Sequence, residues 1–412
     1  MAGVITRIGA GRATRYAISK QGGAQGATPV TTGSGFRFSE DCRPLLEHLR
    51  GPLTSRKPVT YDRFFLGLYE PNQQHYLPAD LADRLFAQGR ARGQQPAGTY
   101  ARRVLEQLLI DLSWHSSRLE GNRMSLLDTE QLFARGQADE GDIDALMLLN
   151  HKQAIEFIVD AGPQYGIVDP VVRNIQSVLM QGLLPSNANL GQVRSTVVTI
   201  ADSVYVPLQA PQLLAELLSA VLDKARNIRN PVEAAFFLWI HIAYLQPFED
   251  GNKRTSRLCA NLPLMLQNCA PLSFLDVEQG DYALAMLAVY EQCNVSLAVE
   301  LFVWTYRRSI EKYAVLLEAM GAPDQFRQRY REQLGEAVRN VVTQDTPVAA
   351  AVDALGLPPN DVETFEAMLR QELEHLEVFN CARFRLGLNL AKRWIDAGRP
   401  GLDITSPSAR AK

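Results

Sequence analysis

The sequence predicts a mainly α fold with one or two β-hairpins and accessory segments at both ends. Three observations support it. From about residue 98 onward, apolar residues recur at helical spacing. One stretch, NPVEAAFFLWIHIAYL (230–245), is almost wholly apolar, as a central buried helix would be. β-Branched runs concentrate in one place, STVVTI and VYVPL, on either side of Ala201-Asp202-Ser203.

Taken in order, residues 1–35 differ from the rest. ITRIGAGRATRYAIS reads as two short strands joined by Gly-rich, basic residues, and a Gly/Thr/Ala-rich linker follows. The wording resembles the wing of a winged-helix DNA-binding module, which makes DNA a possible partner, but no helices precede it. It is either a remnant, a disordered basic tail, or the end of a module that starts upstream. Residues 36–97 form an accessory region in which Pro52, Pro58, Pro71 and Pro78 limit helix length. YARRVLEQLLIDLSWHSSRLEG places Val104, Leu108, Leu112 and His115 on one helical face. DIDALMLLNHKQAIEFIVDAG and DPVVRNIQSVLMQGLL repeat that pattern, and a hairpin is expected near 194–206. Asn230 and Pro231 supply an N-cap and first-turn proline for the apolar helix. Helices continue through 98–315, and 316–412 reads as a more charged helical region.

The chain has 42 basic and 45 acidic residues and a formal net charge of −3, so global charge predicts no polyanion partner. No apolar run reaches the ~18 residues of a membrane span, and the N-terminus lacks a signal-peptide core. A cytoplasmic protein is expected. The five cysteines form no CxxC pair, which argues against a zinc cage or disulfide framework.

The chemistry concentrates in LQPFEDGNKRTSR (245–257). A buried helix ends near Leu245, Gly251 permits a turn, and a new helix begins at about Asn252. Its free N–H groups and dipole favour an anion. Arg254 and Arg257, three apart, share one face and suit phosphate oxygens. Asp250, at the lip, suits Mg²⁺ shared with phosphate oxygens. A capped helix start with surface arginines would show the same spacing.

The segment closely resembles the signature HxFx(D/E)GNGRxxR of the Fic (Fido-domain) family, and the resemblance spans roughly residues 98–310. It implies a Fido-type helical core. The run 191–208 is similar to that family's flap, whose residues Thr196, Val197, Val198, Thr199 and Ile200 would align a target polypeptide. SSRLEGN matches the inhibitory motif (S/T)xxxE(G/N) through Ser116, Glu120 and Gly121, on a helix near 101–121, as in the N-terminally inhibited class. By the same resemblance Asp250 would bind Mg²⁺, and Phe248 would anchor the loop. Gly251, Asn252, Lys253 and Arg254 would surround the phosphates of ATP. Arg257 would hold the γ-phosphate or pair with Glu120.

Two positions depart from the signature. Gln246 stands where the family has its catalytic His, and a carboxamide cannot act as a general base near neutrality. Lys253 replaces a Gly, as in the Doc-like branch that transfers a terminal phosphate. His241, His115 and His151 fit buried or helix-face histidines better than substitute bases. Four functions stay open: a weakened transferase of AMP from ATP to Ser, Thr or Tyr hydroxyls of a target protein, a non-catalytic nucleotide- or protein-binding relative, de-AMPylation, and phosphotransfer.

Overall fold

A computed structural model of the chain describes residues 4–8, 15–19, 35–90, 96–320 and 325–402. It divides into two compact units, 1–319 and 320–412. Each has its own apolar core, and the architecture is mainly α.

In the first unit, β1 (Val4–Ile8) and β2 (Arg15–Ser19) pair antiparallel, Val4 opposite Ser19. The connection between them and the expected linker at 20–34 lie outside the described residues, and so does much of the wing-like wording. The accessory region forms short helices, α1 (Arg43–Arg50), α2 (Arg63–Gly67) and α3 (Ala79–Gly89), with the four prolines falling between them. A two-residue strand, β3 (Val59–Thr60), precedes α2.

The core begins with α4 (Thr99–Arg103) and α5 (Leu105–Arg118), which break at Val104. The predicted stripe of Leu108, Leu112 and His115 is buried. A reciprocal Ser125–Asp128 capping box starts α6 (Leu126–Arg135), and the Asp142 carboxylate caps α7 (Ile143–Tyr165). Next come α8 (Asp169–Met180), α9 (Pro211–Asn227) and α10 (Pro231–Leu245). The Asn230 side chain accepts hydrogen bonds from Val232 N at 2.9 Å and Glu233 N at 3.2 Å, with Pro231 in the first turn. Every residue of α10 is buried, because α3, α9, α11 (Asn252–Cys259), α12 (Asn261–Leu266) and α13 (Gln279–Gln292) all pack on it. A helix without a polar face has no other stable place. α14 (Ser296–Met320) follows.

The expected hairpin at 194–206 is present only as a turn. Ser203 N–H reaches Ile200 O at 3.4 Å, and no strand ladder joins the two arms. The second arm pairs elsewhere: β4 (Tyr205–Val206) lies parallel to β3, and Val59 N–H donates to Val204 O at 3.1 Å. A buried Arg56–Glu291 pair at 2.9 Å accompanies it, with Glu291 also accepting from Ser203 Oγ and Val204 N. The accessory segment thus takes the hydrogen bonds the first arm would have used.

The second unit holds α15 (Gln325–Arg329), α16 (Arg331–Gln344), α17 (Val348–Asp353), α18 (Pro359–Glu374) and α19 (Leu388–Asp396). They close around Leu334, Val338, Val341, Phe365, Leu369 and Trp394. The buried Glu372 carboxylate is satisfied by Arg327 and, at 2.7 Å, by Arg383. All five cysteines are buried, and none is in a disulfide.

Candidate active site

The loop at 246–251 is set by backbone geometry at both ends. Gln246 ends α10 in the left-handed region (φ 51°), and Gly251 enters α11 there too (φ 79°). A Cβ on Gly251 would lie 2.7 Å from Met180 Sδ on α8, so a side chain there would need both a left-handed backbone, which glycine adopts freely, and a shift of the Met180 side chain. Between these ends, the Asn252 carboxamide closes the loop on itself. Its Oδ1 accepts from Phe248 N and its Nδ2 donates to Phe248 O, both at 2.8 Å. Phe248 is fully buried beneath it. Gln176 of α8 adds a bond to Asp250 O at 3.1 Å.

This arrangement leaves the first-turn N–H groups of Asn252, Lys253 and Arg254 without intrahelical acceptors, at the positive end of the helix dipole. The Arg254 guanidinium is buried, and its Nη1 has no acceptor. An orphaned buried cation donor beside free helix N–H groups is the chemistry of an anion site. Asp250 is exposed at the lip, accepting from Gly251 N at 2.6 Å with Arg254 Nη2 3.5 Å away. Among the described residues no cluster of three or more metal-ligating side chains occurs. An exposed carboxylate at the mouth of an anion-binding helix start fits Mg²⁺, which commonly takes one or two protein carboxylates plus substrate phosphates.

Arg257 is wholly buried and tightly held. Nε donates to Ser116 Oγ, Nη1 to Tyr282 OH and Nη2 to Ser116 O, each at 2.9 Å. Its Nη2 also lies 2.7 Å from Glu120 Oε1. That contact is an ion pair, not an aligned hydrogen bond, because Oε1 has no donor directed at it. Glu120 Oε2 lies 2.9 Å from Lys253 Nζ. Burial alone would raise the Glu120 pKa, but the charges of Arg257, Lys253 and Arg254 outweigh it and bring the value down to about 2. Gly121 follows Glu120 in a left-handed turn (φ 88°). The Ser116 motif, which lies at the end of α5, and the α11 loop therefore meet in space.

The remaining wall is the flap. Val198, Thr199, Ile200 and Ala201 line a cleft of about 150 Å³ with Glu120, Gln246, Glu249, Tyr290 and residues 250–254. Thr196, Val197 and Thr199 are exposed, whereas Val198 and Ile200 are half-buried, the alternation of an extended segment. The cleft is small beside the roughly 300–1,000 Å³ typical of ligand pockets, and the paired Glu120 and Lys253 are both in its wall. A larger cavity of about 390 Å³ lies elsewhere, among residues 36–50 and Asp281, away from this chemistry.

Gln246 turns its amide back on its own helix, Nε2 donating to Ala243 O at 2.7 Å. None of the three histidines lines this cleft. His241 is a core residue, 2.8 Å from Tyr76 OH, with its pKa pushed by burial down to about 3. His115 is likewise lowered by burial, to about 4, and faces a separate cavity with Asp276 and Lys312. His151, expected on a helix face, is instead fully buried; Nδ1–H reaches Met147 O at 3.1 Å, leaving Nε2 to accept from Ser116 Oγ at 3.1 Å. It backs the Arg257 contact, which no spacing in the sequence indicates.

Arg194 also went unmarked in the sequence. Its Nε donates to Gln246 O at 2.7 Å, and its Nη atoms bond Thr196 O, Gln209 Oε1 and Leu208 O. It thereby staples both ends of the flap to the start of the loop. A single arginine before a β-branched run carries no signal for that role.

Comparison with known proteins places the loop in context. Residues 169–264 match the Fic/DOC family. The chain is 26% identical over 201 residues to the protein adenylyltransferase Fic of Nematostella vectensis. It is 23% identical over 225 residues to the protein adenylyltransferase fic-1 of Caenorhabditis briggsae. These matches cover 45% and 52% of this chain, and the chain spans 45% and 43% of those relatives' own lengths. Among solved structures, a Fic-1 fragment of Caenorhabditis elegans is similar with a TM-score of 0.47 and 20% identity, covering 59% of this chain and 71% of that one. A Fic family protein of Desulfovibrio desulfuricans gives 0.47 and 18%, covering 82% and 97%. The matched segment contains α8, the loop at 246–251 and α11, and it is over this segment that the chain is similar to the Fic/DOC family.

Proposed function

We propose that the protein binds ATP with Mg²⁺ at the α11 loop and is autoinhibited there by Glu120, with AMP transfer to target-protein hydroxyls slowed or lost because Gln246 supplies no base. One observation carries this reading: the Glu120 carboxylate sits among Lys253, Arg254 and Arg257, at the start of a helix whose free N–H groups and orphaned Arg254 Nη1 call for an anion. A phosphate would take the place of that carboxylate. Lys253, Arg254 and the backbone of 251–254 would hold the phosphates, and Asp250 would share Mg²⁺ with them, supplying charge neutralisation as pyrophosphate leaves.

Relatives named protein adenylyltransferases support AMP transfer as the reaction type. In it, a Ser, Thr or Tyr hydroxyl attacks the α-phosphorus, pyrophosphate departs, and the hydroxyl proton needs an acceptor. Gln246 can accept a hydrogen bond but cannot take up that proton, which costs about 10²–10⁴-fold. The exposed flap residues Thr196, Val197 and Thr199 would present the target segment. The non-catalytic alternative draws support from Gln246 Nε2, whose bond to Ala243 O commits the side chain to capping α10.

Titration calorimetry with Mg²⁺ and a non-hydrolysable ATP analogue tests the reading. The wild type should bind weakly, and Glu120→Gly should bind at least tenfold tighter. Equal affinity in both proteins would remove Glu120 from the site, and no binding by either would remove the nucleotide.

A further inference from the structure

We propose that Lys253 is a positioning residue for Glu120: a second, releasable clamp that regulates access to the phosphate loop. The inference rests on the reading of Glu120 as the occupant of a phosphate position. Each carboxylate oxygen has its own cation, Oε2 with Lys253 at 2.9 Å and Oε1 with Arg257 at 2.7 Å. Two separate anchors fix the plane of the carboxylate, which a single ion pair would leave free to rotate. Lys253 and Arg257 are four residues apart on α11, so both reach from one face of the helix toward the turn that follows α5.

The two anchors are unequal. The Arg257 guanidinium is held by Ser116 Oγ, Ser116 O and Tyr282 OH whether or not Glu120 is present, and it is fully buried. Lys253 is 37% exposed, and Glu120 is the acceptor the structure gives its ammonium group. A long, flexible side chain at the surface can move its charged end into water at little cost. Opening the site therefore means releasing the Lys253–Glu120 contact while Arg257 stays in place. A glycine at 253, as in the signature this loop resembles, would have no such contact, so Lys253 shifts this chain toward the closed arrangement.

A double-mutant cycle on the full chain tests this, with affinity for Mg²⁺ and a non-hydrolysable ATP analogue as the readout. Because Lys253 also lies at the phosphate positions, Lys253→Met should weaken binding in a Glu120→Gly background, and its effect should be about 1.4- to 5-fold more favourable in the wild-type background, the range expected of a partly exposed ion pair. Lys253→Arg, which keeps the charge, should behave as wild type. Equal effects of Lys253→Met in the two backgrounds would show that the lysine acts on the nucleotide or on folding alone, and would overturn the proposal. If Glu120→Gly binds no analogue, the nucleotide reading fails separately. The clamp is then decided by urea denaturation of Glu120→Gln, Lys253→Met and the double variant: non-additive midpoints support it, and additive ones overturn it.

Discussion

At the scale of single residues, the site is a balance of one carboxylate against three cations. Arg257 and Arg254 are buried, so neither can discharge its electrostatic cost into water. Glu120 offsets that cost, and their charges depress its pKa against the opposing effect of burial. A carboxylate whose folded pKa lies below its ordinary value of 4.5 stabilises the fold above that pH. The contribution disappears as pH falls toward about 2. Urea denaturation of wild type should therefore show a loss of up to about 3 kcal/mol between those limits that Glu120→Gln lacks. Parallel pH profiles for the two proteins would contradict the coupling. Lys253, which in the sequence was a departure from a glycine, becomes in the structure the partner of Glu120 Oε2. Nothing in a linear spacing of more than 130 residues connects the two.

At the scale of elements, the parts set by local chemistry were the legible ones. Asn230, Pro231 and the unbroken apolar run specify α10, and the PFEDGN wording specifies a turn into a new helix; both occur with the expected boundaries. The parts decided by competition between distant segments were not legible. The 194–206 arms have the composition of a hairpin, yet β4 pairs with β3 from 146 residues upstream in the register Val59–Tyr205. His151 looks like any helix-face histidine until α5 packs on α7 and delivers Ser116 to it. Gly251 links the two kinds of information, since its left-handed φ is local but the approach of Met180 is tertiary. Gly251→Ala should cost about 1–3 kcal/mol in urea denaturation through backbone strain and contact with Met180. A variant as stable as wild type would mean that α8 does not press on the loop this closely.

At the scale of the whole molecule, the described chain is two separately cored units, and the chemistry belongs to the first. No described helix is long and apolar enough to cross a membrane. Within the first unit, α10 fixes one end of the loop and α11 the other. The accessory segment ties down the flap through β3 and Arg56, and α5 brings Glu120. The proposed phosphate site thus has its anion-binding loop, cations and carboxylate assembled but no proton acceptor at 246, where Gln246 caps α10 instead. The most direct test is transfer of label from α-labelled ATP to proteins of a cell lysate by Glu120→Gly and by Glu120→Gly/Gln246→His. The structure predicts little or no transfer by the first and an increase of about 10²–10⁴-fold in the second. Equally rapid transfer by both would show that another group takes the proton, and no transfer by either would show that the loop does not position ATP for attack.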